Sequence, residues 1–170
     1  MADGGGVQVE RRTDAKGGTD VVARSIVVGA SPEAVFEVLV QPSRHADFDG
    51  SGSVKGRLRG AERLAPGANF GMRMRIGLPY TIKNTVVAYE PARALAWRHV
   101  GHHVWRYDLE PVELPDGRRP GTKVTESFDW STSRIRRGLE VSGMTRGNTR
   151  SIEKTLPRLK ALVENETQGA

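Results

Sequence analysis

Between residues 54 and 130 the chain carries six strand-like runs in succession, with a short turn signal between each and the next. The runs are Val54–Leu64, Asn69–Gly77, Tyr80–Glu90, Ala94–Val100, His103–Glu113 and Thr122–Trp130. The breaks are Ala65-Pro66-Gly67, Leu78-Pro79, Glu90-Pro91, Gly101 and Leu114-Pro115-Asp116-Gly117, all of which favour turns. Links this short make hairpins, and hence a meandering antiparallel sheet.

The flanks add one strand and three helices. Val21–Val28 is short and β-branched, which reads as a strand. In the next segment Ser31 suits an N-cap, Pro32 the first helical position and Glu33 the positive end of the helix dipole. Val35, Phe36 and Leu39 then share one helical face, and Pro42 ends the helix. Ser43 to Phe48 reads as a second short helix. At the far end Ile152, Leu156, Leu159 and Leu162/Val163 recur at spacings of three and four, predicting a helix over 148–164 that Pro157 should kink. A sheet of about seven strands with one apolar face must bury that face, and the long helix is its cover. The sheet has to curl round a helix too slim to fill it, which leaves room for a pocket.

Several local strings carry a family resemblance. They are Ile26-Val27-Val28 leading into Ala30-Ser31-Pro32-Glu33-Ala34-Val35-Phe36, Pro42 to Phe48, and Tyr89-Glu90-Pro91 before Leu95-Ala96-Trp97. Trp105 to Pro111, Thr122 to Phe128 and the Leu156–Leu162 helix complete the set. Over about residues 21–165 the chain resembles the START-like helix-grip superfamily, the polyketide cyclase/dehydrase and lipid-transport proteins of SRPBCC type. The resemblance implies an α+β helix-grip fold: a curved antiparallel sheet of about seven strands around a long C-terminal helix, with two short helices after the first strand. That superfamily includes cyclases, lipid carriers, hormone receptors, ring-hydroxylase subunits and regulators, so it does not select an activity.

Composition narrows the field by exclusion. The 170 residues suit one domain. Residues 1–20 and 166–170 lack hydrophobic period and read as disordered tails around a single ligand-binding domain at 21–165. No cysteine is present, which removes disulfides, thiolate zinc sites and a cysteine nucleophile. The start of the chain lacks the pattern of a secretory signal, and no apolar run approaches a transmembrane length, so the expected location is cytoplasmic. The net charge of +6 is spread among glutamates. Its densest part, Arg134, Arg136, Arg137, Arg146 and Arg150, has no interleaved aromatics, so nucleic acid is not an expected partner. Arg134, Arg136 and Arg137 remain candidates for contact with an anionic lipid or an acidic protein.

Alternation along each strand fixes what points inward. The inner set holds Phe70, Met72 and Met74, then Asn84, then Trp97 and His99, then His103, Trp105 and Tyr107, then Glu126, Phe128 and Trp130. Together with Met144 at a Gly/Ser/Thr-rich 138–147 segment expected to gate the mouth, these are the candidate ligand contacts. His99, His103, Tyr107 and Glu126 are the candidates for moving a proton. His99, His103 and Glu126 also have the donor types of a metal site, though hairpin-end histidines are commonly just solvated, and no metal or cofactor is expected. His45 is expected on a solvated surface helix. Asp49 to Ser53 resembles a phosphate loop only superficially, since the Gly-Lys-Ser/Thr ending is missing. The inner face points to binding or carriage of a small hydrophobic molecule (lipid, polyketide or quinone-like), or to a cyclase/dehydratase; the basic surface points instead to a regulatory protein-interaction module.

Overall fold

The computed structural model describes residues 6–115, 117 and 120–169. Its strands are β1 (Gln8–Glu10), β2 (Val21–Val28), β3 (Val54–Gly60), β4 (Asn69–Ile76), β5 (Leu78–Glu90), β6 (Ala94–His99), β7 (Val104–Glu113) and β8 (Pro120–Asp129). They form one antiparallel sheet in the order β1-β2-β8-β7-β6-β5-β4-β3. From β3 to β8 this is the simple meander. β2 breaks the sequence by pairing with β8, Ile26 opposite Val124 and Val22 opposite Phe128. The chain between β2 and β3 therefore crosses from one side of the sheet to the other. It does so as α1 (Pro32–Leu39), a 3-10 turn (Pro42–Arg44) and α2 (His45–Phe48). After β8 come α3 (Arg136–Val141) and α4 (Met144–Gln168).

Local chemistry explains the helices. The Ser31 side chain accepts a hydrogen bond from the Ala34 N–H, and Pro32 opens α1. Val35, Phe36 and Leu39 are then buried in the same core as Ile152, Leu156, Leu159 and Val163 of α4 and Val28, Leu95, Val124 and Phe128 of the sheet. Burying side chains of this size is worth about 1.5–3 kcal/mol each, and it holds α4 across the concave face. Polar ties fix its register: Arg24 Nε donates to Glu153 at 3.0 Å, and Lys160 Nζ donates to the Val27 carbonyl at 2.7 Å. The Gly29 N–H donates to Glu164 at 2.6 Å.

Several expectations need correction. α4 is continuous through Pro157, which lies on its exposed side. There the Glu153 carbonyl, left without an i+4 donor, can turn to water. α4 is also longer than 148–164, and 138–147 is largely helical. It contains most of α3 and the first turn of α4, joined at Gly143 with φ 74°. Buried Leu139 anchors α3, and this outweighs the weak helix propensity of the glycines. Gly147 is exposed, and a Cβ there would meet nothing within 4 Å. Gly147→Ala is thus expected to stabilise the fold by about 0.5–1 kcal/mol in urea denaturation. A loss of stability would show that this turn is not helical in solution.

Both tails are structured where described. β1 pairs with β2, Val9 opposite Arg24, and adds an eighth strand at the edge of the sheet. Glu10 accepts from Ser25 and pairs with Lys123, while the Asp14 carboxylate closes a turn by accepting from the backbone of Lys16, Gly18 and Asp20. At the other end Glu166 pairs with Arg44 inside the last turns of α4. These segments are held by charge pairs and backbone bonds, which leave no hydrophobic period. Residues 1–5 and 170 lie outside the described part. β3 also stops at Gly60, so that Leu64 leaves the sheet, is buried, and donates its N–H to the Val40 carbonyl at 2.7 Å.

Candidate functional site: an internal cavity and its mouth

A cavity of about 260 Å³ lies between the concave face, α2 and α4. The pairing register builds its wall. Phe70 stands opposite Asn84, Met72 opposite Ile82 and Met74 opposite Tyr80. Asn84 in turn faces His99, Trp97 faces Trp105, and Tyr107 faces Glu126. All of these line the cavity, as do His103 and Met144.

Phe128 and Trp130 do not line it. Phe128 is fully buried between Trp105 and Trp130, at ring centroid distances of 4.8 and 5.6 Å. The Trp130 indole N–H donates to Glu140 of α3 at 3.2 Å. α3 covers this end of β8, and its presence was not apparent from the sequence.

Other wall residues come from outside the strand pattern. His45 is 6% exposed rather than solvated. Its ring stacks on Trp97 at 5.2 Å and meets Phe70 edge-on at 6.1 Å. Nε2–H donates to the Leu39 carbonyl at 2.8 Å, satisfying one of the carbonyls at the end of α1. Burial holds this imidazole below its usual pKa. Four residues of helix carry no readable period, so only Phe48 beside it hinted at burial. Asp49, Ser51 and Ser53 line the cavity from the following loop, and Ser151 and Thr155 from α4. The Asp49 carboxylate accepts from the backbone of Ser51 and Val54 at 3.0 and 2.9 Å. The Gly50 N–H donates to Thr155 Oγ1 at 2.9 Å, laying the loop directly on α4.

The polar groups inside are under-partnered. Buried and without a hydrogen-bond partner are Asn84 Oδ1, Glu126 Oε2 and His103 Nδ1. Each such atom costs about 1–3 kcal/mol unless something satisfies it. Arg24 stands directly opposite Glu126 in the register, yet its guanidinium pairs with Glu153 instead. Burial pushes the Glu126 carboxyl up to about 8, the nearby Asp49 charge adds to this, and the Tyr107 phenol opposes it. Burial also raises the Tyr107 phenol well above its usual value, with the Glu126 charge adding to it. His99 is pushed down to about 3 by burial and then by His103, and His103 down to about 4 by burial. At neutral pH the cavity thus holds a protonated carboxyl, a phenol and uncharged imidazoles. His99 and His103 stack at 4.5 Å, and among the described residues no three His, Cys, Asp or Glu side chains converge on a point that could hold a metal.

Ile76, Tyr80 and Met144 are exposed and also line the cavity, so it opens between the β4–β5 hairpin and the start of α4. Of the basic run, Arg136 is committed to Asp20 at 2.7 Å and Glu140 at 3.2 Å. No helix among the described residues is long and apolar enough to cross a membrane.

An antiparallel sheet gripping a long C-terminal helix around an open apolar hollow defines a helix-grip, cavity-containing protein. Residues 19–164 match the family described as polyketide cyclase/dehydrase and lipid transport, and the chain belongs to that family. An uncharacterised protein of Mycobacterium tuberculosis, Rv0088, is 35% identical over 143 residues, covering 81% of this chain and 62% of that protein. The chain therefore spans less than two thirds of the length of that relative. Among solved structures, a Rhodobacter sphaeroides protein superposes with a TM-score of 0.66 at 17% identity, covering 94% of this chain and 98% of that one. A polyketide-cyclase-like protein of Corynebacterium glutamicum, Cgl2372, gives 0.56 at 21% identity, covering 88% and 94%. At these identities the structural likeness establishes the fold alone.

Proposed function

We propose that the protein binds or carries a small, largely apolar molecule, of lipid, polyketide or quinone-like type, in the cavity between sheet and helix. The observation that carries this reading is an open hollow with aromatic and methionine walls and unpartnered polar atoms, since apolar sites with a few convergent polar groups are the usual small-molecule sites. Ligand sites commonly span about 300–1,000 Å³. A cavity of about 260 Å³ therefore suits a compact occupant, or one that protrudes through the mouth. Phe70, Met72, Met74, Trp97 and Trp105 supply apolar contact. Asn84, His99, His103, Tyr107 and Glu126 supply hydrogen bonds.

Native mass spectrometry of the purified protein, with organic extraction, tests the reading. A bound mass is expected, and it is expected to disappear in Met74→Trp, which fills the hollow while the fold persists. An empty protein that 1-naphthol also fails to stabilise against heat would sink it.

One observation favours a second reading, a cyclase/dehydratase. Glu126, protonated near neutrality and facing Tyr107, is placed to donate a proton to a bound substrate. The weakly basic His99 and His103 are poorer candidates. Glu126→Gln abolishing turnover while leaving ligand affinity intact would favour the enzyme over the carrier.

A further inference from the structure

One end of the molecule gathers most of the large apolar side chains that are exposed among the described residues. Asn84 faces His99, near the end of β6, so the residues of β5 before Asn84 run on beyond β6 and the β4–β5 tip projects past the neighbouring hairpin. The link from β8 to α3 lies at the same end, because Asp129 pairs with Val104 and the Arg134 N–H donates to the Gly101 carbonyl at 3.1 Å. α4 starts there too, with Met144 at the cavity mouth. Nine large apolar side chains stand out as exposed among the described residues. All but Val9 and Val87 belong to this end: Ile76, Leu78 and Tyr80 on the projecting hairpin, Val100 on the next tip, and Ile135, Val141 and Met144 around α3. Scattered singly they would need no explanation, but grouped around an opening they mark an interaction surface.

The charges at this end are positive. Arg134, Arg137 and Arg146 are exposed and form no ion pair with any described residue. The neighbouring acids are occupied: Asp20 and Glu140 by Arg136, and Asp129 by the N–H groups of Ala15 and Ser131.

We propose that this end docks on an anionic lipid bilayer, with Leu78 and its neighbours entering the headgroup–acyl boundary and the free arginines meeting phosphates. The apolar groups sit on separate projecting elements rather than on one flat face. A protein partner would need a matched recess for each, whereas a bilayer accepts them in any arrangement. Clustered arginines beside them are what anionic leaflets attract. The surface is argued independently of what the cavity holds. Because the mouth lies within it, an apolar molecule could pass between bilayer and cavity without crossing water.

Vesicle flotation of the full chain tests this. Binding to equimolar phosphatidylcholine–phosphatidylglycerol vesicles is expected to exceed binding to phosphatidylcholine alone by roughly tenfold, and to weaken when salt is raised from about 0.1 M to about 1 M. Leu78 is 81% exposed and Val9 71%, so both tolerate a charge without unfolding. Leu78→Glu is expected to cut binding roughly tenfold, and Val9→Glu to leave it unchanged. The double variant Arg134→Ser/Arg137→Ser is expected to lose the preference for anionic vesicles. Failure to float with the anionic vesicles, or equal flotation of Leu78→Glu, overturns the proposal. So does a dimer in light scattering that Leu78→Glu dissolves, since that would assign the surface to self-association.

Discussion

Glu126→Gln is expected to make the protein more stable at neutral pH and to remove part of the pH dependence of its stability. The buried carboxyl has a folded-state pKa raised from 4.5 to about 8. Below 4.5 both folded and unfolded states hold the proton, and the group contributes nothing to pH dependence. Between 4.5 and 8 the unfolded chain releases the proton and the folded chain keeps it, so stability falls as pH rises through this window. At pH 7 the accumulated penalty is on the order of 3 kcal/mol, taking about 1.4 kcal/mol per unit. His45, His99 and His103 titrate the other way, because their lowered values make stability fall as pH drops below their usual 6.5. The variant-minus-native difference isolates Glu126. Urea midpoints at pH 5 and pH 7 are expected to show a small gain for Glu126→Gln at the lower pH and a large one at the higher. A difference that does not change with pH would mean that Glu126 is already ionised in the folded protein, and the proton-donor reading would fall with it.

Gly50→Ala is expected to be severely destabilising. An added Cβ would lie 2.3 Å from the Ser151 carbonyl oxygen and 2.4 Å from the Thr155 nitrogen. Both are backbone atoms of α4, so neither can swing aside. Relief requires the 49–53 loop to lift, and lifting breaks the Gly50–Thr155 bond and the Arg158 contact to the Asp49 carbonyl. The loss is expected near the upper end of overpacking costs, about 3 kcal/mol. The same movement pulls Asp49, Ser51 and Ser53 out of the cavity wall, so binding of any cavity ligand is expected to weaken along with stability. Thermal and urea denaturation that match the native protein would show that the loop does not rest on α4.

The strands were legible because each carries its own two-residue alternation. Trp97, Trp105, Tyr107 and Glu126 could be placed on one face without knowing which strands were neighbours. The core face of α4 was legible for the same reason, through Ile152, Leu156, Leu159 and Val163. His45 was misread as surface because a four-residue helix has no period to mark a buried face, and the part that the Asp49–Ser53 loop plays in the cavity wall left no local signal. Trp97 covers the His45 ring and the backbone of α4 covers Gly50, and both lie far away in the chain. Phe128 and Trp130 were assigned to the inner face, yet neither lines the cavity: His103 and Trp105 pack on the Phe128 ring and themselves form the wall, and Trp130 turns to Glu140 of α3. β1 escaped notice because Glu10 with Lys123 and Arg12 with Asp108 hold that segment through partners distant in the chain.

What the residue order determined by itself was a meander of strands with an aromatic inner face, a capped α1 and a terminal amphipathic helix, since each is a matter of spacing between near neighbours. Only the tertiary structure decided that β2 pairs with β8, that Arg24 turns to Glu153 and leaves Glu126 without a cationic partner, and that the hollow opens where the exposed apolar tips gather. Those outcomes depend on which distant segments meet. Burial and electrostatics between such segments are summed over the whole fold and leave no local periodicity to read.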